Sequence, residues 1–517
     1  MPIYGPELDD PVSIPELLRY GLENKPDEDA LISLDTGHTW RELDESSTRL
    51  ARNYLALGLE PGDRIASLMP NRTALIVHYI ACMKSGLIGV PLNYRYMSPE
   101  IDHALEVSGA SALIAHAERA KDISNCKNVS KLPLGTISYG AKDSASPSFE
   151  ELVTNDIEGV ELLAPDPNSP AFIFFTSGST GPAKGVTHSY ESLRWMFGSC
   201  AEGFEMNGDD TILSGSSISH IGGFIFSFMA LSKGARVLVA RRFDPDEIIP
   251  LLRENRPTVL CMIPAAMFRV IRDHGATRED FTTIRLCRSG SDSVPLELER
   301  EFMDLTGHPI DEGYGSSEIG LATLNPPSGV IKMGSIGPPL QGFVFSIRDE
   351  DGNELQTGED GNAWIKTKSL MVGYWENPEA TKKVITDGWF NVGDVLRADE
   401  DGYLWFKGRK KQIIVHDGSN ICPQEVEGAL LEHEAVELAG VVGIHDVMHG
   451  ENVRAFITVR EGARQPKVME LIKFARERVG YKAPEDIVIL QEMPLNPTGK
   501  IDRLKLKRLA EEEHSHR

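Results

Sequence analysis

The sequence predicts an α/β protein, with a large N-terminal domain of parallel or mixed sheets and flanking helices and a small α+β domain at the C-terminus. Three observations predict it. Short apolar runs rich in β-branched and aromatic residues alternate with helical patterns along most of the chain. At 517 residues the chain is too long for one ordinary core. Beyond a junction near 400–411, where ADEDGYLWFKGRKK ends a strand-like piece in a glycine and a basic cluster, a separate short succession of helices and strands begins.

In order, AFIFF (171–175), ARVLVA (235–240) and TVLCMI (258–263) read as strands bounded by Gly, Pro or Ser. PDEIIPLLREN (245–255) and PLELEREFMDLTG (295–307) read as helices, the second opened by Pro and closed by Gly. Strand–helix alternation of this kind implies largely parallel sheets. Residues 141–169, rich in Ser, Asp, Pro and Asn, read as an irregular connector. After the junction come QEVEGALLEH (helix), VELAGVVGI and NVRAFITVR (strands), KVMELIKFARERVG (helix) and EDIVIL (strand). That is a unit of about a hundred residues, the size of a small lid domain. The division expected is 1–410 and 411–517.

Composition narrows the function. Apolar residues make up 41% and charged residues 25%, as in a folded protein, and the formal net charge of -24 repels nucleic acid and anionic membranes. The basic runs GRKK (408–411) and RLKLKR (503–508) are short and read as solvated faces. Six scattered cysteines without a C-x-x-C pair argue against a zinc site or a disulfide scaffold and for a reducing compartment. The acidic start MPIYGPELDD has no secretory pattern. The apolar stretch 74–92 is interrupted by Lys84, and 221–231 is shorter than the ~20 residues a membrane span needs, so both read as core. The expectation is a cytoplasmic enzyme, monomeric or homodimeric, with no nucleic-acid partner and no integral membrane segment.

The segment FFTSGSTGPAKGVTHS (174–189) carries the chemistry. A buried strand ends at Phe175 and leads into Thr176, Ser177, Gly178, Ser179, Thr180 and Gly181, with Lys184 and Gly185 after them. Glycines let backbone approach a polyphosphate closely, hydroxyls and amides donate to its oxygens, and Lys184 adds a cation. A Ser/Gly-rich surface turn is the plainer alternative. The loop is not of the Walker type, because Pro182 and Ala183 separate Gly181 from Lys184 and the GK[ST] ending is missing.

On these residues the chain resembles the adenylate-forming superfamily of acyl-CoA synthetases, nonribosomal adenylation domains and luciferases, with Pro182 and Ala183 exchanged relative to the usual loop. Further segments follow in that family's order from about residue 11 to 509. The resemblance implies ATP and Mg2+ as cofactors and gives each segment an expected role. In DEGYGSSEIG (311–320), Tyr314 is expected to stack on adenine and Glu318 to help coordinate magnesium, together with Thr176. Gly313, Gly315, Ser316 and Ser317 would line the nucleotide, with Ser317 where Thr is usual, and Glu312 would sit near the adenine amino group where an amide is common. RSGSDSVP (288–295) resembles the loop along the adenine and acyl pocket, bringing in Gly290 and Ser291, while Asp292 and Ser293 depart from the usual pair. SISHIGGF (217–224) puts His220 at the carboxylate end of the acyl site and Phe224 in an apolar acyl pocket.

GWFNVGD (388–394) and GYLWFKGRKKQI (402–413) supply Asp394 for the ribose hydroxyls, Arg409 for ribose or phosphate, and Lys411 as the hinge of the small domain. NPTGKIDR (496–503) places Lys500 on a turn, where the family's catalytic lysine bridges substrate carboxylate and α-phosphate. The implied reaction is activation of a carboxylic acid, fatty or aromatic, to an acyl-adenylate and transfer to CoA. Gly418 is in place on the CoA side, though Val415 stands where many CoA ligases have Lys. An amine or amino acid forming an amide, or a carrier-protein thiol, remains open as acceptor. A catalytically silent nucleotide-binding protein would be expected to lack Lys500 or Glu318, and both are present.

Overall fold

The computed structural model describes residues 2–9, 11–141, 147–176, 182–290, 294, 296–410, 412–416, 419–446, 450–497 and 499–515. Four sheets organise these residues. Ile88–Pro91, Arg64–Leu68, Ala112–His116, Thr136–Tyr139 and Pro170–Thr176 run parallel in a seven-stranded sheet whose edge is extended antiparallel by Lys184–Ser189 and Gly373–Tyr374. The eight-stranded sheet has a parallel centre of Asp29–Ile32, Arg236–Val239, Thr211–Ser214, Val259–Met262, Leu286–Gly290 and Asp311–Ser316. The strands predicted over 171–175, 235–240 and 258–263 form within about a residue of the expected bounds, and both predicted helices form, as Pro245–Asn255 and Leu296–Thr306.

A third sheet departs from the parallel expectation. Phe343–Arg348, Asp360–Thr367, Trp389–Ala398 and Leu404–Arg409 pair antiparallel in succession, although the chain between the second and third also supplies Gly373–Tyr374 to the seven-stranded sheet. The described part of the connector, 147–169, also holds a helix that was not expected. Ser148 and Glu151 form a reciprocal capping box that starts a short helix, Phe149–Thr154, and Phe149 and Leu152 are buried.

The two main sheets share one core. Helix Ile221–Ser232 is its apolar centre, and Phe224 is fully enclosed by the rings of Tyr79, Phe172, Phe174, Phe197 and Phe228 at centroid distances of 4.5–5.8 Å. The expectation that Phe224 lines an acyl pocket is therefore corrected: its ring is spent on core packing behind the site. No helix among the described residues is long and apolar enough to cross a membrane.

The small C-terminal unit is a five-stranded sheet built on the long antiparallel pair Val436–Asp446 and Gly450–Val459, with helices Pro423–Leu431 and Val468–Val479 against it and Asp486–Ile489 parallel at one edge. The basic run at 503–508 lies within a further helix, Arg503–Ser515. Leu506 and Ala510 are fully buried in it, so one face of that run is core rather than solvated. The two-domain α/β architecture with a small C-terminal α+β unit agrees with the sequence expectation.

Candidate active site

Parallel strands deliver their carboxyl ends to one edge, the usual place for a ligand in an open α/β sheet. Thr176 ends one such strand, Gly290 and Ser316 end two others, and His220 caps the N-terminus of the helix that follows Thr211–Ser214. Ser177, Gly178, Ser179, Thr180, Gly181, Ser291, Lys411 and Gly418 lie outside the described residues.

The described flanks of the Ser/Gly loop are tied together. Thr176 and Lys184 are directly paired across the strands that the loop joins. Lys184 Nζ lies 4.8 Å above the ring of Tyr374, and the Tyr374 hydroxyl donates to Glu318 Oε1 at 2.9 Å. The Glu318 carbonyl accepts from Met371 N at 2.7 Å, and the Ser317 carbonyl accepts from His188 Nε2 at 2.7 Å. The His188 ring is buried and held neutral, its pKa lowered to about 4 by burial. A cation, a carboxylate and a strand-end hydroxyl thus belong to one connected patch, bridged by Tyr374.

The glycines of this edge are close-approach positions. At Gly315 a Cβ would stand 2.1 Å from the Gly320 carbonyl oxygen, and at Gly290, with φ +155, it would stand 2.4 Å from the Gly313 oxygen. Gly313–Ser316 is not the loose turn that its composition suggests. It is strand Asp311–Ser316, paired antiparallel with Gly320–Leu324, with a register shift at Tyr314/Gly315.

Tyr314 donates from its hydroxyl to Asp394 Oδ2 at 2.6 Å, and Arg409 Nε stands 3.4 Å from Asp394 Oδ1. Asp394 and Arg409 are paired across strands Trp389–Ala398 and Leu404–Arg409, which fixes their separation. Burial raises the Asp394 pKa, opposed by the charges of Arg409 and Lys500 and by the Tyr314 hydrogen bond.

Glu312 is buried behind this group, its Oε1 accepting from Val294 N at 3.0 Å. Burial pushes its carboxyl up to about 8, with Glu299 adding and Arg288 opposing. Burial likewise raises Glu299 and Asp311 to about 7. A carboxyl with a raised native pKa keeps a proton that the unfolded chain has released, so its stabilisation is lost as pH rises through the native value. The buried histidines His78, His188 and His220, lowered to about 3, 4 and 4, act oppositely, but only below their unfolded value near 6.5. Between pH 7 and 8 the carboxyls act alone, and Glu312 is expected to reduce the unfolding free energy by about 1 kcal/mol. Thermal unfolding followed across that range should show the decline, and Glu312→Gln should flatten it. An unchanged slope in the variant would contradict the assignment.

Lys500 reaches the same edge from the small domain. Its turn is closed by Asn496, whose Oδ1 accepts from Lys500 N at 3.0 Å and whose N donates to the Lys500 carbonyl at 2.7 Å; Gly499 takes the left-handed φ of +84. The turn lies on the large domain, since Asn93 Nδ2 donates to the Pro497 carbonyl at 2.9 Å. The charge of Lys500 is felt by both His220 and Asp394. His220 is lowered to about 4, chiefly by burial and further by Lys500 and Arg95. The structure therefore brings together Thr176, Lys184, Glu318, Tyr314, Asp394, Arg409, His220 and Lys500. Asn93, Arg95, His188 and Tyr374 belong to the group but escape sequence reasoning. His188 at least lies inside the quoted loop motif, and Tyr374 lies in the aromatic pair GYW at 373–375.

The donor set is one of hard oxygens and fixed cations. Among the described residues no group of three or more His, Cys, Asp or Glu forms a metal cage. Thr176 and Glu318 beside a lysine suit a magnesium ion that keeps water and phosphate oxygens as its remaining ligands. Among the described residues the Ser316 hydroxyl, buried at the strand end, has no hydrogen-bond partner.

The chain belongs to the AMP-binding enzyme family, which it matches over residues 18–375, with the family's C-terminal domain over 425–500. It is a ligase, of the acid–thiol type of its relatives. It shares 32% identity over 480 residues with a feruloyl-CoA synthase of an Amycolatopsis species, covering 92% of this chain and 94% of that one. A long-chain-fatty-acid–CoA ligase of Bacillus subtilis shares 30% over 524 residues, covering 95% and 93%. Among solved structures, ATP-bound MatB of Rhodopseudomonas palustris superposes with a TM-score of 0.87 at 26% identity, over 96% of this chain and 98% of that one. The apo form of the same protein gives 0.78, over 97% and 99%.

Proposed function

We propose that this protein joins an apolar carboxylic acid, fatty or aromatic, to CoA at the expense of ATP, through an acyl-adenylate made at the edge described above. The observation that carries the reading is the position of Lys500, whose charge reaches both His220 and Asp394 while its turn rests on Asn93. The better superposition on the ATP-bound than on the apo relative supports the same placement.

In this reading the loop 176–181 and Lys184 cradle the triphosphate, and Asp394 with Arg409 holds the ribose. Tyr314 lies along adenine between Gly313 and Gly315, and Glu312 meets its amino group. Thr176 and Glu318 would hold magnesium, which when bound neutralises phosphate charge. His220 faces the acid's carboxylate. A carboxylate oxygen attacks the α-phosphorus, the bond to the β-phosphate bridging oxygen breaks, and pyrophosphate leaves. Lys500 stabilises the charge that builds between carboxylate and α-phosphate. Fixed geometry supplies much of the remaining rate. The small domain, taken as 411–517, then turns at Lys411 so that the thiol, entering past Gly418, attacks the acyl carbon and releases AMP. The six free cysteines, four of them buried, fit a reducing, cytoplasmic setting.

A carrier-protein thiol is the second acceptor worth testing. It is favoured by 30% identity over 495 residues to a fatty acid–[acyl-carrier-protein] ligase of Streptomyces coeruleorubidus, covering 94% of each chain. The purified protein should be given ATP, magnesium and a panel of ferulate, benzoate, 2-succinylbenzoate, octanoate and palmitate, with CoA, holo-carrier protein or a primary amine in parallel. Mass spectrometry is expected to find an acyl-CoA, with AMP and pyrophosphate. Acyl-carrier protein or amide alone would overturn the CoA assignment.

A further inference from the structure

Asn93 follows the parallel strand Ile88–Pro91 by two residues and is buried, yet no part of the chemistry above assigns it a task. Both ends of its amide are engaged. Oδ1 accepts from Arg95 N at 2.9 Å, which fixes which end of the amide is oxygen. Nδ2 then donates one hydrogen to the Pro497 carbonyl at 2.9 Å and lies 3.1 Å from His220 Nε2. Because Nδ2 has only hydrogens to offer, His220 Nε2 must be the acceptor, so the neutral ring carries its proton on Nδ1. Arg95 completes the arrangement, its Nη1 standing 3.4 Å from where a Cβ on Gly499 would be.

We propose that Asn93 is a positioning residue that couples docking of the Lys500 turn to the tautomer and orientation of His220. One nitrogen spans both domains. When the turn is seated, Pro497 O holds one hydrogen and directs the other at His220, leaving Nδ1–H as the ring's donor toward the reacting carboxylate. When the small domain turns away, the carbonyl leaves and that constraint is released. The groups that face His220 here are Asn93, Lys500 and Arg95, and the two cations favour the neutral ring that the arrangement needs. The inference rests on Lys500 acting in adenylate formation with this domain placement.

Asn93→Asp keeps the acceptor for Arg95 N and removes both donors. Its expected effect is a fall of about 30-fold in acid-dependent exchange of pyrophosphate into ATP, as two hydrogen bonds are lost. ATP affinity and thioester formation from chemically made acyl-adenylate and CoA should stay within about threefold of wild type. In the Lys500→Ala background the substitution should cost no more than about twofold further, because the two residues act in one event. Asn93→Ala, read in the same way, replaces N93D if the latter melts far below wild type. The probe acid is whichever panel member gives exchange in the wild-type protein. Equal slowing of both half-reactions, an additive effect on Lys500→Ala, or unchanged exchange would each overturn the role of Asn93. Absence of exchange from wild type with every acid would instead sink the proposed function.

Discussion

Lys500→Ala is expected to slow acyl-adenylate formation by about 10²–10³-fold, the usual effect of deleting one fixed donor to developing charge. The lysine sits on a turn that Asn496 closes through both its side chain and its backbone, so the side chain starts from a rigid base. Its charge is felt by both His220 and Asp394, the residues proposed to face the acid and the ribose. ATP binding is expected to stay within a few-fold, because Asp394, Arg409 and Lys184 belong to the large domain. Thioester formation from ready-made adenylate should also persist, since in the proposed cycle the small domain carries Lys500 away before the thiol attacks. Single-turnover measurements of each half-reaction would check this. Near wild-type adenylation in the variant would show that the charge is supplied elsewhere.

Asp394→Ala is expected to weaken ATP binding by about 10–100-fold, the cost of stranding partnered polar groups. The carboxylate is almost wholly buried and serves Tyr314 at 2.6 Å and Arg409 at 3.4 Å as well as any diol. Its removal frees the Tyr314 ring from its anchor and leaves Arg409 without its cross-strand partner. Isothermal titration with ATP in the absence of acid measures the loss. Asp394→Asn, which keeps the shape and one acceptor, should fall between. An affinity within twofold of wild type in the alanine variant would contradict a ribose role.

Strand positions in the two main sheets were legible because AFIFF and TVLCMI are short, bounded, and rich in aromatic or β-branched residues, too short for a buried helix. The antiparallel sheet of 343–409 was less so, since strands such as Asp360–Thr367 and Trp389–Ala398 carry Asp, Asn and Arg among their apolar residues. Helix Arg503–Ser515 was hidden by its charge, although Leu506 and Ala510, four apart, mark a buried face. Phe224 misleads for the opposite reason: an apolar residue beside a functional histidine reads as pocket, and only the surrounding rings reveal core. Tyr374 and Asn93 act through partners far along the chain, Glu318 in one case and Pro497 in the other. No local pattern encodes such a pairing.

The most direct measurement is exchange of labelled pyrophosphate into ATP, without CoA, across the acid panel. The account predicts exchange that depends on acid and magnesium and falls by about 10²–10³-fold in Lys500→Ala. No acid-dependent exchange with any acid, or release of phosphate and ADP in place of AMP and pyrophosphate, would contradict it.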